Sequence, residues 1–429
     1  MKSKLYLLAL VLLACSTTKT ITLDEIAESY VRLVLEIGQY EEGFVDAYFG
    51  PEELRPTTEK LDSVPYQKFI DRSEKLLVNL DQIEEAQLSR DDKARKRFIE
   101  KQLIAVRTSL EKSTGIKYSF EEDARLLYDA ELPVHGYKYY DSLVNVVHEY
   151  FPEEEDLLSR FLTVEEKYVV PADKLDTVMR VAIKEARRRT AQYLNLPKSE
   201  NFELDYVSDK PWGAYNYYLG NSQSNIDVNT DNPISIFRIL DYASHEGYPG
   251  HHVHLTILEQ EVVNGKNWIE FSVFPTRSPI ALVAEGIGNY GVSVAFPEEE
   301  RISFEKKVLF PLAGLDTSSV DEDYKLLSMK RNLRSAGIEI VKDYVNGEIT
   351  REEALELGER YLYSNRQTSS TLRFVENSGA YIINYTLGQQ LVEQYVQNQM
   401  EGSKDQTKHW MKFKELLTTP HTASSLQLD

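Results

Sequence analysis

The chain has 429 residues and a formal net charge of −20, with 42% hydrophobic and 28% charged residues. That is enough apolar sequence to bury a large core, and the acidic balance argues against nucleic acid and anionic membrane surface as partners. Cys15 is the single cysteine, so no disulfide is available to hold the fold.

Lys2 and Lys4 precede the short apolar run Leu5–Leu13, which ends in Leu12-Leu13-Ala14-Cys15. The run is too short for a permanent membrane span and reads as an export signal, residues 1–14. The placement of the cysteine resembles a bacterial lipobox. It implies cleavage before Cys15, acylation of its thiol, and a lipid-anchored protein of the bacterial envelope, on the outer membrane and facing periplasm or surface. Residues 15–21 are then a tether.

Thr22-Leu23-Asp24-Glu25 is a capping box opening a helix with Ile26, Tyr30, Leu33, Val34 and Ile37 on one face. Gly43 to Pro51 has turn chemistry. Residues 73–112 carry apolar side chains every three or four positions, the pattern of one long amphipathic helical region. Ser119-Phe120-Glu121-Glu122 and Thr163-Val164-Glu165-Glu166 read as further helix caps, and 174–194 is again helical. The pattern changes at Asn201: 202–208 and 224–228 alternate, with Trp212, Tyr215, Tyr217 and Tyr218 between them. This predicts a small antiparallel sheet, whose aromatics serve either as core packing or as an edge for an extended peptide. Residues 235–261 read as helix interrupted at 247–250, and Asn264-Gly265 as a turn. Helices follow over 280–294, most of 304–344, from Thr350 and over 379–400; from Gly402 the polar tail carries no strong signal.

Four of the eight histidines fall in His245-Glu246-Gly247-Tyr248-Pro249-Gly250-His251-His252-Val253-His254. Two imidazoles and a carboxylate hold catalytic zinc with one position left for water, and a further Glu beside the first His serves as general base. In H-E-x-x-H the second His stands four residues after the first; here Pro249 occupies that position and cannot continue the helical bonding. Aligned on Gly250-His251, the motif has two inserted residues, which a π-type widening of the helix can absorb. His251 is then the second ligand and His252 its rival. Glu285, in the apolar stretch Ala281–Ile287, is the candidate third ligand, because a lone buried Glu is costly unless paired or metal-bound. Glu246 is the candidate base. Tyr385, with Tyr381 as rival, is the candidate oxyanion donor. His135, His148, His409 and His421 read as structural or exposed, and His254 as a supporting or solvated position. No serine-hydrolase elbow or phosphate loop is present.

His245-Glu246-Gly247-Tyr248-Pro249-Gly250-His251-His252 resembles the H-E-x-x-P-G-H-H signature of the bacterial domain-of-unknown-function 885 family, which is related to the gluzincin zinc metallopeptidases. Tyr215–Gly220 and Ser224–Asp231 are similar to the segment upstream of that signature, and Val45–Pro51 to an N-terminal signature of one subgroup. Ala284-Glu285-Gly286 matches the start of the family's E-G-W-A-L-Y block, and Tyr385-Thr386-Leu387-Gly388 its Y-x-x-G. The chain departs at Glu285-Gly286-Ile287-Gly288-Asn289-Tyr290, which lacks the Trp, and at Asn377-Ser378-Gly379-Ala380 in place of Pro-Gly-Gln. The resemblance implies a mainly α, gluzincin-like metallohydrolase acting on peptides, with Zn2+ on His245, His251 and Glu285. Residues 22–429 are expected to form one catalytic domain of two lobes, a helical lobe over 22–200 and a zinc-binding lobe over 201–429. The alternative is a catalytically silent envelope lipoprotein that binds peptides or partner proteins.

Overall fold

The computed structural model describes residues 21–133, 135–151 and 156–428. The expected export signal and Cys15 lie outside the described residues. The chain is mainly helical, with 67% of it in helices, and carries two small sheets.

Local chemistry decides most helix starts. The boxes at Thr22, Ser119 and Thr350 are all closed, each hydroxyl accepting from the N3 amide while the N3 Glu reaches back. The expected start at Thr163 is corrected: helix Leu157–Lys167 begins earlier, where the Asp156 side chain accepts from Ser159. Thr163 sits inside it and returns its hydroxyl to the Ser159 carbonyl. The long region over 73–112 is two helices, Tyr66–Asp81 and Arg90–Ser113, the second restarted by the Ser89 cap. Asn264-Gly265 does not turn the chain; helix continues through Asn264–Lys266. The polar tail holds helices Gln406–Leu417 and Ala423–Leu428, whose apolar residues are spaced for one buried stripe.

Strand β1, Val45–Tyr48, lies inside the segment read as a turn. Three further strands, β2 (Asn201–Val207), β3 (Ala214–Gly220) and β4 (Gln223–Asn229), form a sheet in the order β2-β4-β3. β3 and β4 are antiparallel, as expected for a hairpin, and Asn221 and Ser222 take the positive φ values that a tight primed turn needs. β2 corrects the all-antiparallel expectation: it pairs parallel with β4, because β3 takes β4's other edge and the chain enters both β2 and β4 from the same end. β5, Val273–Pro275, pairs antiparallel with β1 and ties the N-terminal region to the centre of the chain.

Apolar packing divides the chain differently from the expected 22–200 and 201–429 lobes. One core joins helices Leu23–Gly38, Tyr66–Asp81 and Arg90–Ser113 to Trp268, Phe271, Phe274 and Ile280. The other gathers Phe120 through Leu194 with most buried residues of the C-terminal half. Helix Pro279–Ala295 contributes to both, with Ile280 and Ala284 in the first and Leu282, Val283 and Ile287 in the second. It is the central post of the fold. No single helix among the described residues is long and apolar enough to cross a membrane.

Candidate metal centre

Helix Ile236–Tyr242 buries Ile236, Ile239 and Leu240 and runs into a π turn over Ala243–Gly247. There the Tyr248 amide donates back five residues to Ala243 at 3.1 Å, and the Gly250 amide donates to Ser244 at 2.9 Å. Pro249 has no amide to offer, so the regular ladder cannot pass through it; the widened turn re-pairs the neighbouring groups. Gly250 is required, because a Cβ there would lie 1.9 Å from the His245 carbonyl oxygen. Helix His251–Ile257 then resumes. The two extra residues are absorbed locally, and the rings of His245 and His251 end 4.6 Å apart.

Glu285 comes from helix Pro279–Ala295, which lies almost backbone to backbone against helix Ile383–Met400. A Cβ on Gly286 would be 2.4 Å from the Gly388 carbonyl, and one on Gly388 would be 2.6 Å from the Leu282 carbonyl. The Glu-Gly and Tyr-x-x-Gly segments are thus two halves of one close crossing. One donor atom each from His245, His251 and Glu285 lies within 4.8 Å of the others. Glu285 Oε2 is 3.3 Å from His245 Nε2, and Oε1 is 3.9 Å from His251 Nε2. Oε2 is buried and has no hydrogen-bond partner. Two imidazoles and a carboxylate with an unbonded oxygen match the donor set of a catalytic zinc site.

The charges are coupled. Burial disfavours His245 as a cation, yet Glu246 and Glu285 outweigh it and carry its pKa up to about 9. Burial and the charge of His245 push His251 down to about 4, leaving a neutral imidazole. Glu246 is pushed up to about 7 by burial, helped by Glu285 and Asp46 and opposed by His245 and Arg238. For Glu285 burial raises the pKa, but its contacts with His245, His251 and Tyr381 hold it below the usual carboxylate range.

Glu246 lies 4.0 Å from His245 Nε2, and its backbone carbonyl accepts from Asn216 Nδ2 at 2.8 Å. That bond ties the π turn to β3. Tyr381 donates to Glu285 Oε1 at 3.4 Å. Tyr385 packs its ring 5.8 Å from that of Tyr381 and senses the charges of Glu285 and Glu246. Both phenols therefore stand at the site. Tyr290, kept from the E-G-W-A-L-Y pattern, points elsewhere: it is buried, with His409 at 2.8 Å and Gln397 at 3.0 Å.

His252 faces away from the group. Its Nδ1 pairs with Ser224 Oγ at 2.8 Å and its Nε2 with Glu200 Oε2 at 3.1 Å. Glu200 also accepts from Tyr248 at 2.6 Å and from Arg187 Nε at 2.7 Å. His254 is buried near Phe274, with Nδ1 unpartnered.

Two charged residues at this site were not singled out from sequence. Asp46 on β1 accepts from Tyr215 and has no ion pair among the described residues. It is solvent-accessible, yet burial on its other sides and the charge of Glu285 raise it to about 7. Arg238 stands seven positions before His245, on the same helix face, and its charge reaches both His245 and Glu246. Helical spacing from His245 was the available signal for Arg238; Asp46 had none beyond its place in Val45–Pro51.

No family profile matches the chain, and no curated protein does. Among solved structures, a presumed lipoprotein from Colwellia psychrerythraea has a TM-score of 0.53 at 14% identity, over 83% of this chain and 65% of its own. The chain thus spans slightly less than two thirds of that protein and shares its fold. A presumed lipoprotein of unknown function from Shewanella oneidensis follows at TM-score 0.47 and 13% identity, covering 85% of this chain and 72% of that one. An M32 carboxypeptidase from Deinococcus radiodurans R1 stands at 0.39 and 12%, with 92% and 88% covered. The last two are too remote to bear on the argument.

Proposed function

We propose that this chain is a zinc-dependent hydrolase of the domain-of-unknown-function 885 type, acting on peptides and held in the bacterial envelope by a lipid on Cys15. The observation that carries the reading is the convergence of His245, His251 and Glu285 within 4.8 Å, beside a buried second carboxylate, Glu246. The first three hold the metal. The chemistry a zinc ion supplies in such a setting is that of a Lewis acid, which acidifies water and polarises a carbonyl.

Glu246 takes the proton of the attacking water and passes it to the leaving amine. Tyr385 donates a hydrogen bond to the carbonyl oxygen as charge develops on it, and Tyr381 keeps Glu285 oriented. β3 is one of the two edge strands of its sheet and is fastened to the π turn through Asn216, so an extended peptide laid along it passes the centre. The lipoprotein description of the Colwellia structure supports the envelope assignment.

Metal analysis and peptide cleavage test this together. Purified wild type binds zinc near one per chain and cleaves members of a peptide library; Glu246→Gln keeps the metal and loses about a thousandfold in kcat. Zinc content that does not fall on His245→Ala removes the reading. Cleavage that survives Glu246→Gln removes the base.

A further inference from the structure

Asp46 is a charged group beside the proposed metal centre for which the hydrolytic chemistry has no use. It belongs to β1, whose register with β5 breaks between Val45 and Ala47. Val45 faces Pro275 and Ala47 faces Phe274, so Asp46 is the extra residue of a β-bulge. A bulge turns one side chain out of the ladder, and bulges are frequent next to active sites. Here Ala47 is buried and Asp46 is exposed.

Contacts on both sides of β1 fix where that carboxylate stands. Through β5 the strand is joined to helix Pro279–Ala295, which carries Glu285. Towards β3 it is held at two points: Tyr215 donates its hydroxyl to Asp46 Oδ1, and the Phe49 ring meets Tyr218 edge-on at 5.2 Å. Asn216 lies between those two residues of β3, and its Nδ2 holds the Glu246 carbonyl at 2.8 Å. The charge of Asp46 is accordingly felt at Glu246, Tyr381 and Tyr385.

What this corner lacks is a cation. Among the described residues no lysine or arginine pairs with Asp46, and Oδ2 accepts no hydrogen bond. The hydroxyl that does meet it belongs to a row of aromatic rings. Tyr215 stacks on Trp212 at 5.5 Å and lies 4.7 Å from Tyr217, which is 40% exposed. Trp212 already carries a cation, with Lys210 Nζ 5.9 Å from its ring. A carboxylate with open lone pairs beside aromatic rings is suited to hold a substituted ammonium.

We propose that Asp46, with the rings of Tyr215 and Tyr217, forms a subsite for an ammonium group of the substrate. Tyr215 and Asn216 are consecutive on β3, about 3.4 Å apart along the strand. A peptide laid along β3 therefore meets the subsite about one residue from the point where β3 is tied to Glu246. The preferred substrate carries its N-terminal amine, or a basic side chain, next to the cut bond. The location of the cut rests on the hydrolase reading; the ammonium subsite does not.

Calorimetric titration of the full-length Glu246→Gln protein in the presence of zinc reads binding without turnover. The probes are trialaninamide, its N-acetyl derivative, and N-acetyl-alanyl-lysyl-alaninamide. At least one of the two ammonium peptides binds about tenfold or more tightly than the neutral one. That gap closes on adding Asp46→Asn, while Asp46→Glu keeps most of it. A gap for trialaninamide alone assigns the subsite to an N-terminus, a gap for the lysyl peptide alone to a side chain, and a gap for both to either. Asp46→Asn melts no lower than its parent, since Asn still accepts from Tyr215 and no longer repels Glu285. Because the whole chain is acidic, Glu203→Gln, on the exposed face of β2, serves as the control and leaves the gap unchanged. Equal affinity for all three peptides, no binding of any, a gap that survives Asp46→Asn, or one that closes equally in Glu203→Gln overturns the proposal. If the hydrolase reading fails instead, wild type cleaves none of the peptides and still shows the gap. In active enzyme Asp46→Asn raises KM for the preferred ammonium peptide and leaves kcat within about twofold.

Discussion

His251 and His252 are neighbours in sequence and opposites in environment. His252 has both ring nitrogens bonded, to Ser224 and Glu200, and Glu200 is in turn bonded by Tyr248 and Arg187. His251 faces His245 and Glu285, whose Oε2 has no hydrogen-bond partner. Helix His251–Ile257 thus divides a satisfied polar network from an unsatisfied one. A buried group with all its bonds made adds rigidity; one with bonds left open is under-bonded without a ligand. The first network locks the helix against β4 and the Glu200 segment, so that the second presents its donors at fixed spacing.

The sharpest way to break this comparison is to substitute each histidine alone. His251→Ala abolishes stoichiometric zinc and lowers kcat/KM by about a thousandfold or more, with little change in the melting of the metal-free protein. His252→Ala keeps zinc near one per chain but loses about 3 kcal/mol in urea unfolding, because Glu200 is left buried with a donor missing. Exchanged outcomes would make His252 the ligand.

Next in size is acid sensitivity. Burial raises the Glu200 pKa, but the bonds from His252, Tyr248 and Arg187 outweigh it and bring it below the ordinary 4.5. Between those two pKa values the unfolded chain binds the proton more readily, so this contribution is fully present above pH 4.5 and is lost as pH falls through the folded value. Glu200→Gln flattens that part of the stability–pH curve; an unchanged slope in acid urea titrations would show that Glu200 is not linked to folding.

A smaller effect is expected at Gly288, where a Cβ would come within 2.8 Å of the His245 ring. Gly288→Ala tilts that ring and weakens zinc about tenfold in a chelator competition, with stability nearly unchanged. The smallest is Asn216→Ala, which removes the bond to the Glu246 carbonyl and lowers stability by about 1 kcal/mol. On the proposed reading its effect on kcat exceeds that on zinc affinity, because the tie holds the proposed base rather than a proposed ligand.

What could be read in the chain by itself was local. The capping boxes at Thr22, Ser119 and Thr350 start helices because each satisfies its orphan amides within four residues. The alternating segments after Asn201 became strands, and Pro249 with Gly250 announced the widened turn. Tertiary structure decided the rest. β1 inside a turn-rich segment exists because β5, far along the chain, supplies its bonds. The parallel pairing of β2 depends on which edge of β4 the hairpin had already taken. Both histidines of the Gly250-His251-His252 segment have the right chemistry for a ligand, and only the positions of Glu285, Ser224 and Glu200 separate them. Short-range hydrogen bonding is written residue by residue; the direction a side chain faces, and whether a charge is paired, depend on what distant segments put beside it.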